Sequence, residues 1–333
     1  MLEIGILILS LGVILLAAEL FTNGVEWLGQ TWGLSEGAVG SVLAAVGTAL
    51  PETLVPIIAI VTGGGREAAT QIGIGVIVGA PFMLGTLAFF VTGVAAFAFA
   101  YRRPSLGMHI NREVVAHDLT FFVMVYSLAI LTAFLPFHNL KIFIALILIG
   151  LYIFYAWRTV HSGQATEGDL PPLIMGRNYR HPRLRLILLQ VGLALTGIMA
   201  GAHFFVDSVE VLAGRWGISP LILSLIITPI ATELPEKFNS IIWISKCKDT
   251  LALGNITGAM VFQSSIIPAI GIFLTPWSFT WNAVPMISAI FAISSASLIL
   301  LILKLRGRLH AVNLLAGGLF YSLFVLIVFT RFV

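Results

Sequence analysis

Apolar residues run along this chain in long blocks of roughly 20 or more, the length that crosses a ~30 Å hydrocarbon core, with polar residues gathered between them. The blocks lie at 2–22, 36–62, 70–100, 117–135, 139–158, 186–206, 218–245, 250–275, 283–303 and 311–331. They predict an all-α membrane protein with ten transmembrane helices. An even number of crossings puts both ends of the chain on one side.

Some of the polar residues that fall inside the blocks follow a pattern. Gly47-Thr48-Ala49-Leu50-Pro51-Glu52 and Ala231-Thr232-Glu233-Leu234-Pro235-Glu236 carry the same Thr-x-x-Pro-Glu motif at a separation of 184 residues. A carboxylate inside an apolar helix is costly and marks a functional site. The same offset matches Val25-Glu26 with Val209-Glu210 and Trp32-Gly33-Leu34-Ser35 with Trp216-Gly217-Ile218-Ser219. Beyond the motif the first half is five residues longer, and Gly79-Ala80 matches Gly258-Ala259 at an offset of 179. Equivalent points lie five crossings apart, so the halves are expected upside down relative to one another. That is a common plan of secondary transporters, with the site at the interface of the repeats.

The expected division is a first five-helix repeat over 1–158, a linker over 159–185 and a second, inverted five-helix repeat over 186–333. The linker holds Pro171-Pro172, Gly163, Gly168 and several arginines. An ordinary solvated loop is the plainer reading of it, and a regulatory ion-binding segment the other.

A proline inside a helix donates no N–H and clashes with the carbonyl four residues earlier. The second and seventh helices are therefore expected to be broken at Pro51 and Pro235, freeing the carbonyls of Gly47 and Ala231 for a cation. A simple kink filled by neighbouring helices is the alternative.

Composition agrees with a membrane protein. Apolar residues make up 59% of the chain and charged ones 10%, with a mean hydropathy of +1.03, against about 25% charged in soluble domains. A single cysteine, Cys247, excludes a disulfide framework within the chain and a multi-cysteine zinc site. The formal net charge of +3 and the lack of basic clusters interleaved with aromatics argue against nucleic acid. The run from Ile4 to about Phe21 lacks a basic n-region and is long enough to span, so no separate cleavable signal peptide is expected.

Basic residues set the orientation. With the N-terminus outside, thirteen fall in inner connections (Arg102, Arg103, Arg112, Arg158, Arg177, Arg180, Arg183, Arg185, Lys246, Lys248, Lys304, Arg306 and Arg308) and four in outer ones (Arg66, Lys141, Arg215 and Arg331). Lys237 is left within a block. The asymmetry predicts a multi-pass protein of the cell (inner) membrane, with both termini outside and the linker in the cytoplasm.

The motifs resemble those of the calcium/cation antiporter superfamily, the sodium/calcium exchangers and their relatives. The family's two inverted signatures read approximately G-T-S-x-P-E and, further on, G-N-x-x-G-S-N/D-x-F-N. The second signature is met here by Gly75-Val76-Ile77-Val78-Gly79-Ala80-Pro81 and by Gly254-Asn255-Ile256-Thr257-Gly258-Ala259-Met260-Val261-Phe262-Gln263. The resemblance implies a transporter that exchanges a divalent cation, typically calcium, for sodium or protons by alternating access. It implies Glu52 and Glu236 as the central divalent ligands, with the hydroxyls or backbone carbonyls of Thr48 and Thr232 beside them. Two carboxylates neutralise one divalent ion, and Ca²⁺ takes about six to eight oxygens. No cofactor is implied; the ions are substrates, and membrane lipids and inorganic cations are the expected partners.

Departures from the family pattern fall at the site itself. Ala49 and Glu233 stand where the family has serine, and Pro81 and Met260 where it has asparagine or aspartate. Glu233 adds a possible third carboxylate, and Asn239, Asn255 and Gln263 offer amide oxygens. Lys237 follows Glu233 by four residues, so Glu233 either pairs with it or serves as an ion ligand. Met260 either attracts a soft ion or fills the space of a missing ligand. Glu19 and His203, matched in the repeat, line an ion pathway or make interfacial contacts, while Asn23 and Asp207 are expected to end the first and sixth helices. Gly73, Gly75 and Gly79, with Gly254 and Gly258, offer small faces that hold the third and eighth helices against the broken ones.

Gly63-Gly64-Gly65 lacks a P-loop lysine, and no HExxH, D-rich diphosphate motif or Ser/His/Asp arrangement points to an enzyme. The remaining alternatives are an antiporter for another divalent cation, Mg²⁺ or Mn²⁺, and a transport-inactive sensor or scaffold.

Overall fold

The computed structural model describes residues 2–32, 49–103, 105–161, 171–176 and 182–332. Helix dominates. In chain order the helices are α1 (Leu2–Thr31), α2 (Leu50–Thr62), α3 (Glu67–Met83), α4 (Phe89–Ala98), α5 (Arg112–Leu131), α6 (His138–His161), α7 (Leu184–Trp216), α8 (Pro220–Thr232), α9 (Leu234–Ser245), α10 (Asp249–Leu274), α11 (Val284–Arg306), α12 (Ala311–Leu314) and α13 (Ala316–Arg331). Eight helical runs are long and apolar enough to cross a membrane, counting α3 with α4 and α12 with α13 as single runs. The pieces α2 and α8 are shorter apolar helices.

The ten unbroken blocks read from hydropathy therefore resolve differently. Block 218–245 is two helices, α8 and α9, separated at Glu233. Block 36–62 is described only from Ala49, where α2 begins. Hydropathy misses such breaks because a residue's transfer energy is blind to whether its backbone continues the hydrogen-bond ladder.

Helix ends differ for a related reason. α1 runs to Thr31 and α7 to Trp216, each well past the end of its apolar block. Lipid contact ends with the apolar residues, but the ladder runs on until something terminates it. For α7 that is Gly217, in the left-handed region at φ 66°, whose N–H caps the Ala213 carbonyl. Asn23 and Asp207 consequently lie inside helices and do not end them.

Packing follows the glycines in one half. α3 lies along α8, where a Cβ at Gly79 would come within 2.5 Å of the Leu225 carbonyl, and one at Gly75 equally close to that of Leu221. Gly73 faces Ile60 of α2 instead. Around Gly254 and Gly258, no atom among the described residues comes within 4 Å of an added Cβ. α1 packs along α7, and α10 against α5 and α6. Pro81 is followed by a π-helical turn at Leu84–Ala88, after which α4 resumes the same run.

Two polar anchors hold the connections. Arg103 grips Asp249 bidentately at 2.7 and 3.0 Å and donates to the Ile244 carbonyl at 2.7 Å, while the His109 N–H reaches Asp249 at 2.9 Å. This ties the α4–α5 connection, including the two-residue strand β1 (Gly107–Met108), to the turn between α9 and α10. β1 pairs antiparallel with β2 (Leu309–His310). The segment 171–176 is docked on the helices: Asn23 receives the Ile174 N–H at 2.9 Å and an N–H of Gln190 at 3.0 Å, and the Trp27 indole donates to the Pro171 carbonyl at 2.9 Å. This part of the linker is therefore seated on α1 and α7 and is not a free solvated loop.

Candidate functional site

The two Pro-Glu pairs begin helices. Pro51 is the second residue of α2 and Pro235 the second residue of α9, with Ala49 and Glu233 as the residues before each helix. The break expected at Pro235 is present, at Glu233 just before it, in place of the alternative of a kink in one continuous helix. A proline in the first turn is cheaper, because its missing N–H has no intrahelical partner there. In the second half, the chain leaves α8 at Thr232, passes through Glu233 at φ −89° and ψ 10°, and starts α9 afresh. The carbonyl of Ala231 still lacks the N–H that residue 235 would have supplied. Gly47 and Thr48 lie outside the described residues, as does the chain leading into α2 from 33 to 48.

Glu52 and Glu236 occupy the first turns of α2 and α9. There the exposed N–H groups and the helix dipole favour a negative charge, which makes a buried carboxylate tolerable. Both are buried, at 0% and 3% exposure, and both oxygens of Glu52 and one of Glu236 make no hydrogen bond. They lie within electrostatic reach of one another, and Glu233 is close enough to act on both. Two elements far apart in sequence thus bring their carboxylates into one buried region.

Neutral oxygens surround them. Thr232 is fully buried beside Glu52, its hydroxyl donating to the Thr228 carbonyl at 3.0 Å. The Thr228 hydroxyl one turn back is buried and without a partner. Gln263 of α10 sits beside Glu233 with its carbonyl oxygen unpartnered. Asn255 donates from its amide nitrogen to the Glu236 backbone carbonyl at 3.3 Å, leaving its own oxygen available as an acceptor.

Glu233 and Lys237 pair directly. The Lys237 ammonium is 3.0 Å from Glu233 Oε2 and 3.3 Å from the Pro229 carbonyl, at 6% exposure. The other Glu233 oxygen stays unpartnered. Among the described residues, no group of three His, Cys, Asp or Glu side chains is arranged to hold a metal ion. The arrangement is two carboxylates that keep oxygens without hydrogen bonds and a neutralised third, with amide, hydroxyl and carbonyl oxygens around them.

Three other sequence candidates have different surroundings. Met260 is fully buried in the main apolar core, which fits a space-filling side chain. Glu19 and His203 are exposed, and His203 faces Asp207 at 3.6 Å. Besides Asp249, a second buried carboxylate escaped the sequence reading: Asp118 on α5 accepts from Tyr155 of α6 and Thr257 of α10, each at 2.7 Å. Its signal was an acidic residue just inside an apolar block.

Known proteins place this architecture. The fold is that of a solved H⁺/Ca²⁺ exchanger, CAX, with a TM-score of 0.74 at 16% identity, covering 97% of this chain and 81% of that one. It is also that of the sodium-calcium exchanger NCX_Mj, with a TM-score of 0.59 at 20% identity, covering 99% and 98%. Among curated relatives, the antiporter candidate CaxA of Alkalimonas amylolytica is 26% identical over 327 residues, 94% of each chain. The family model that the chain matches makes its class an integral membrane transporter, not an enzyme. With residues 2–160 and 186–333 matching the family model described as sodium/calcium exchanger protein, the chain belongs to that family.

Proposed function

We propose that this protein is a secondary-active antiporter that exchanges a divalent cation, Ca²⁺ in the first instance, for Na⁺ or H⁺ by alternating access. The observation that carries the reading is the pair Glu52 and Glu236, buried at the starts of two helices with carboxylate oxygens that make no hydrogen bond. Buried charges are expected to be paired or to coordinate a cation. Two carboxylates balance one divalent ion, and the Glu233–Lys237 pair leaves that balance unchanged.

Ca²⁺ takes about six to eight oxygens. The two glutamates would supply the charged ones. Thr232, Gln263, Asn255 and the Ala231 carbonyl are the neutral candidates, with Gly47 and Thr48 as their counterparts in the first half. Glu233, held by Lys237, is assigned a secondary role. The inverted-repeat division at 1–158, 159–185 and 186–333, and the orientation with both termini outside the cell (inner) membrane, belong to the same reading.

The test is counter-ion-driven ⁴⁵Ca²⁺ uptake into proteoliposomes. Glu52→Gln and Glu236→Gln are each expected to abolish uptake while the purified protein keeps its elution volume and helical content. Normal uptake in both variants would overturn the assignment. Unaltered protein that carries Mn²⁺ or Mg²⁺ and not Ca²⁺ would keep the mechanism and change the substrate.

A further inference from the structure

Resting on that reading of the site, we propose that the Lys237 ammonium is a resident monovalent cation: it fills an oxygen-lined cation position beside the two divalent-binding carboxylates, and so reduces by one the counter-ions that exchange must move. Its ligands are a carboxylate oxygen of Glu233 and the Pro229 carbonyl, at 3.0 and 3.3 Å. Oxygens of these two kinds also bind hard metal cations. More are at hand than the ammonium uses, since the second Glu233 oxygen and the Gln263 carbonyl oxygen are buried and unpartnered.

The matched position in the first half shows what the pair adds. At the 184-residue offset, Glu233 corresponds to Ala49 and Lys237 to Thr53. There the Thr53 hydroxyl donates to the Ala49 carbonyl at 2.7 Å, and no charge is present. One half therefore carries an anion and a cation that the other lacks, together neutral. An extra carboxylate alone would demand a mobile cation in every ion-free state, and the lysine meets that demand from within the chain.

Helix stability does not explain the lysine. Lys237 closes the first turn of α9, the end where the helix dipole disfavours positive charge. The Glu233 carboxylate, between α8 and α9, holds it there.

Removal of the ammonium should open the position to a mobile ion. The direct probe is ²²Na⁺ binding at equilibrium to purified protein in detergent, comparing the unaltered chain with Lys237→Ala and with the double variant Glu233→Gln/Lys237→Met. Lys237→Ala is expected to bind one more sodium ion per chain than the unaltered protein, and its divalent uptake to become sodium-stimulated. The double variant, with both charges gone, should show no such gain.

A folded Lys237→Ala protein that binds no more sodium than the unaltered one overturns the proposal, as does an equal gain in the double variant. If Lys237→Ala unfolds in choline chloride, recovery in sodium chloride supports the proposal, and unfolding in both salts overturns it. Sodium binding is read independently of divalent flux. Loss of the antiporter reading would appear as absent flux in the unaltered protein, a different result.

Discussion

At the scale of single residues, this membrane interior treats its carboxylates in three ways. Both oxygens of Glu52 and one of Glu236 are left without hydrogen bonds, Glu233 is neutralised by a lysine, and Asp118 is satisfied by two hydroxyls. Asp118 therefore reads as a structural node joining α5, α6 and α10, with the His117 ring stacked on Tyr155 above it. Deleting one of its donors leaves a buried charge half-solvated, which costs about 1–3 kcal/mol. Tyr155→Phe is accordingly expected to lower the unfolding temperature in detergent by several degrees without changing divalent affinity. An unchanged melting profile would show that the hydrogen bond contributes nothing, and a lost divalent affinity would move Asp118 into the ion site.

At the scale of elements, the close approach of α3 to α8 positions the loaded end of α8. Gly79 has no room for a side chain: a Cβ there would meet the Leu225 carbonyl at 2.5 Å and Pro229 at 2.8 Å. Pro229 is also a ligand of Lys237, so pushing α8 away displaces that contact. Gly79→Ala is expected to destabilise the protein by about 1–3 kcal/mol, as overpacking does, and to slow divalent uptake. Gly150 in α6 provides the control, because an added Cβ there meets nothing within 4 Å. Gly150→Ala should be neutral or stabilising by ~0.5–1 kcal/mol. Equal behaviour of the two variants, read by thermal unfolding and by uptake, would remove the packing argument.

For the whole molecule, orientation is the open prediction, and the protein carries its own probe. Cys247, in the turn between α9 and α10, is exposed and flanked by Lys246 and Lys248. The basic asymmetry predicts this turn in the cytoplasm. A membrane-impermeant maleimide added to intact cells should leave Cys247 unlabelled and should label it in inside-out vesicles. Labelling from outside would invert the topology. The proposed inverted repeat would survive, since it requires an odd number of crossings between equivalent points and not a particular absolute orientation.

What the sequence determined by itself was the class of solvent and the residues that mark the candidate site. Apolar blocks of spanning length, and a carboxylate beside a proline twice at one offset, follow from composition and spacing alone, because both are properties of individual residues and their order. The tertiary structure decided how those residues are used. Whether Pro235 kinks one helix or starts another depends on where the hydrogen-bond ladder stops, and the ladder stops at Glu233. Whether Glu233 meets Lys237 was open in the sequence, since a four-residue spacing across a proline does not fix geometry; the backbone turn between α8 and α9 brings the ammonium to 3.0 Å. Asp118 and its partners were invisible as a group for the same reason, as Tyr155 and Thr257 meet it only when α5, α6 and α10 pack.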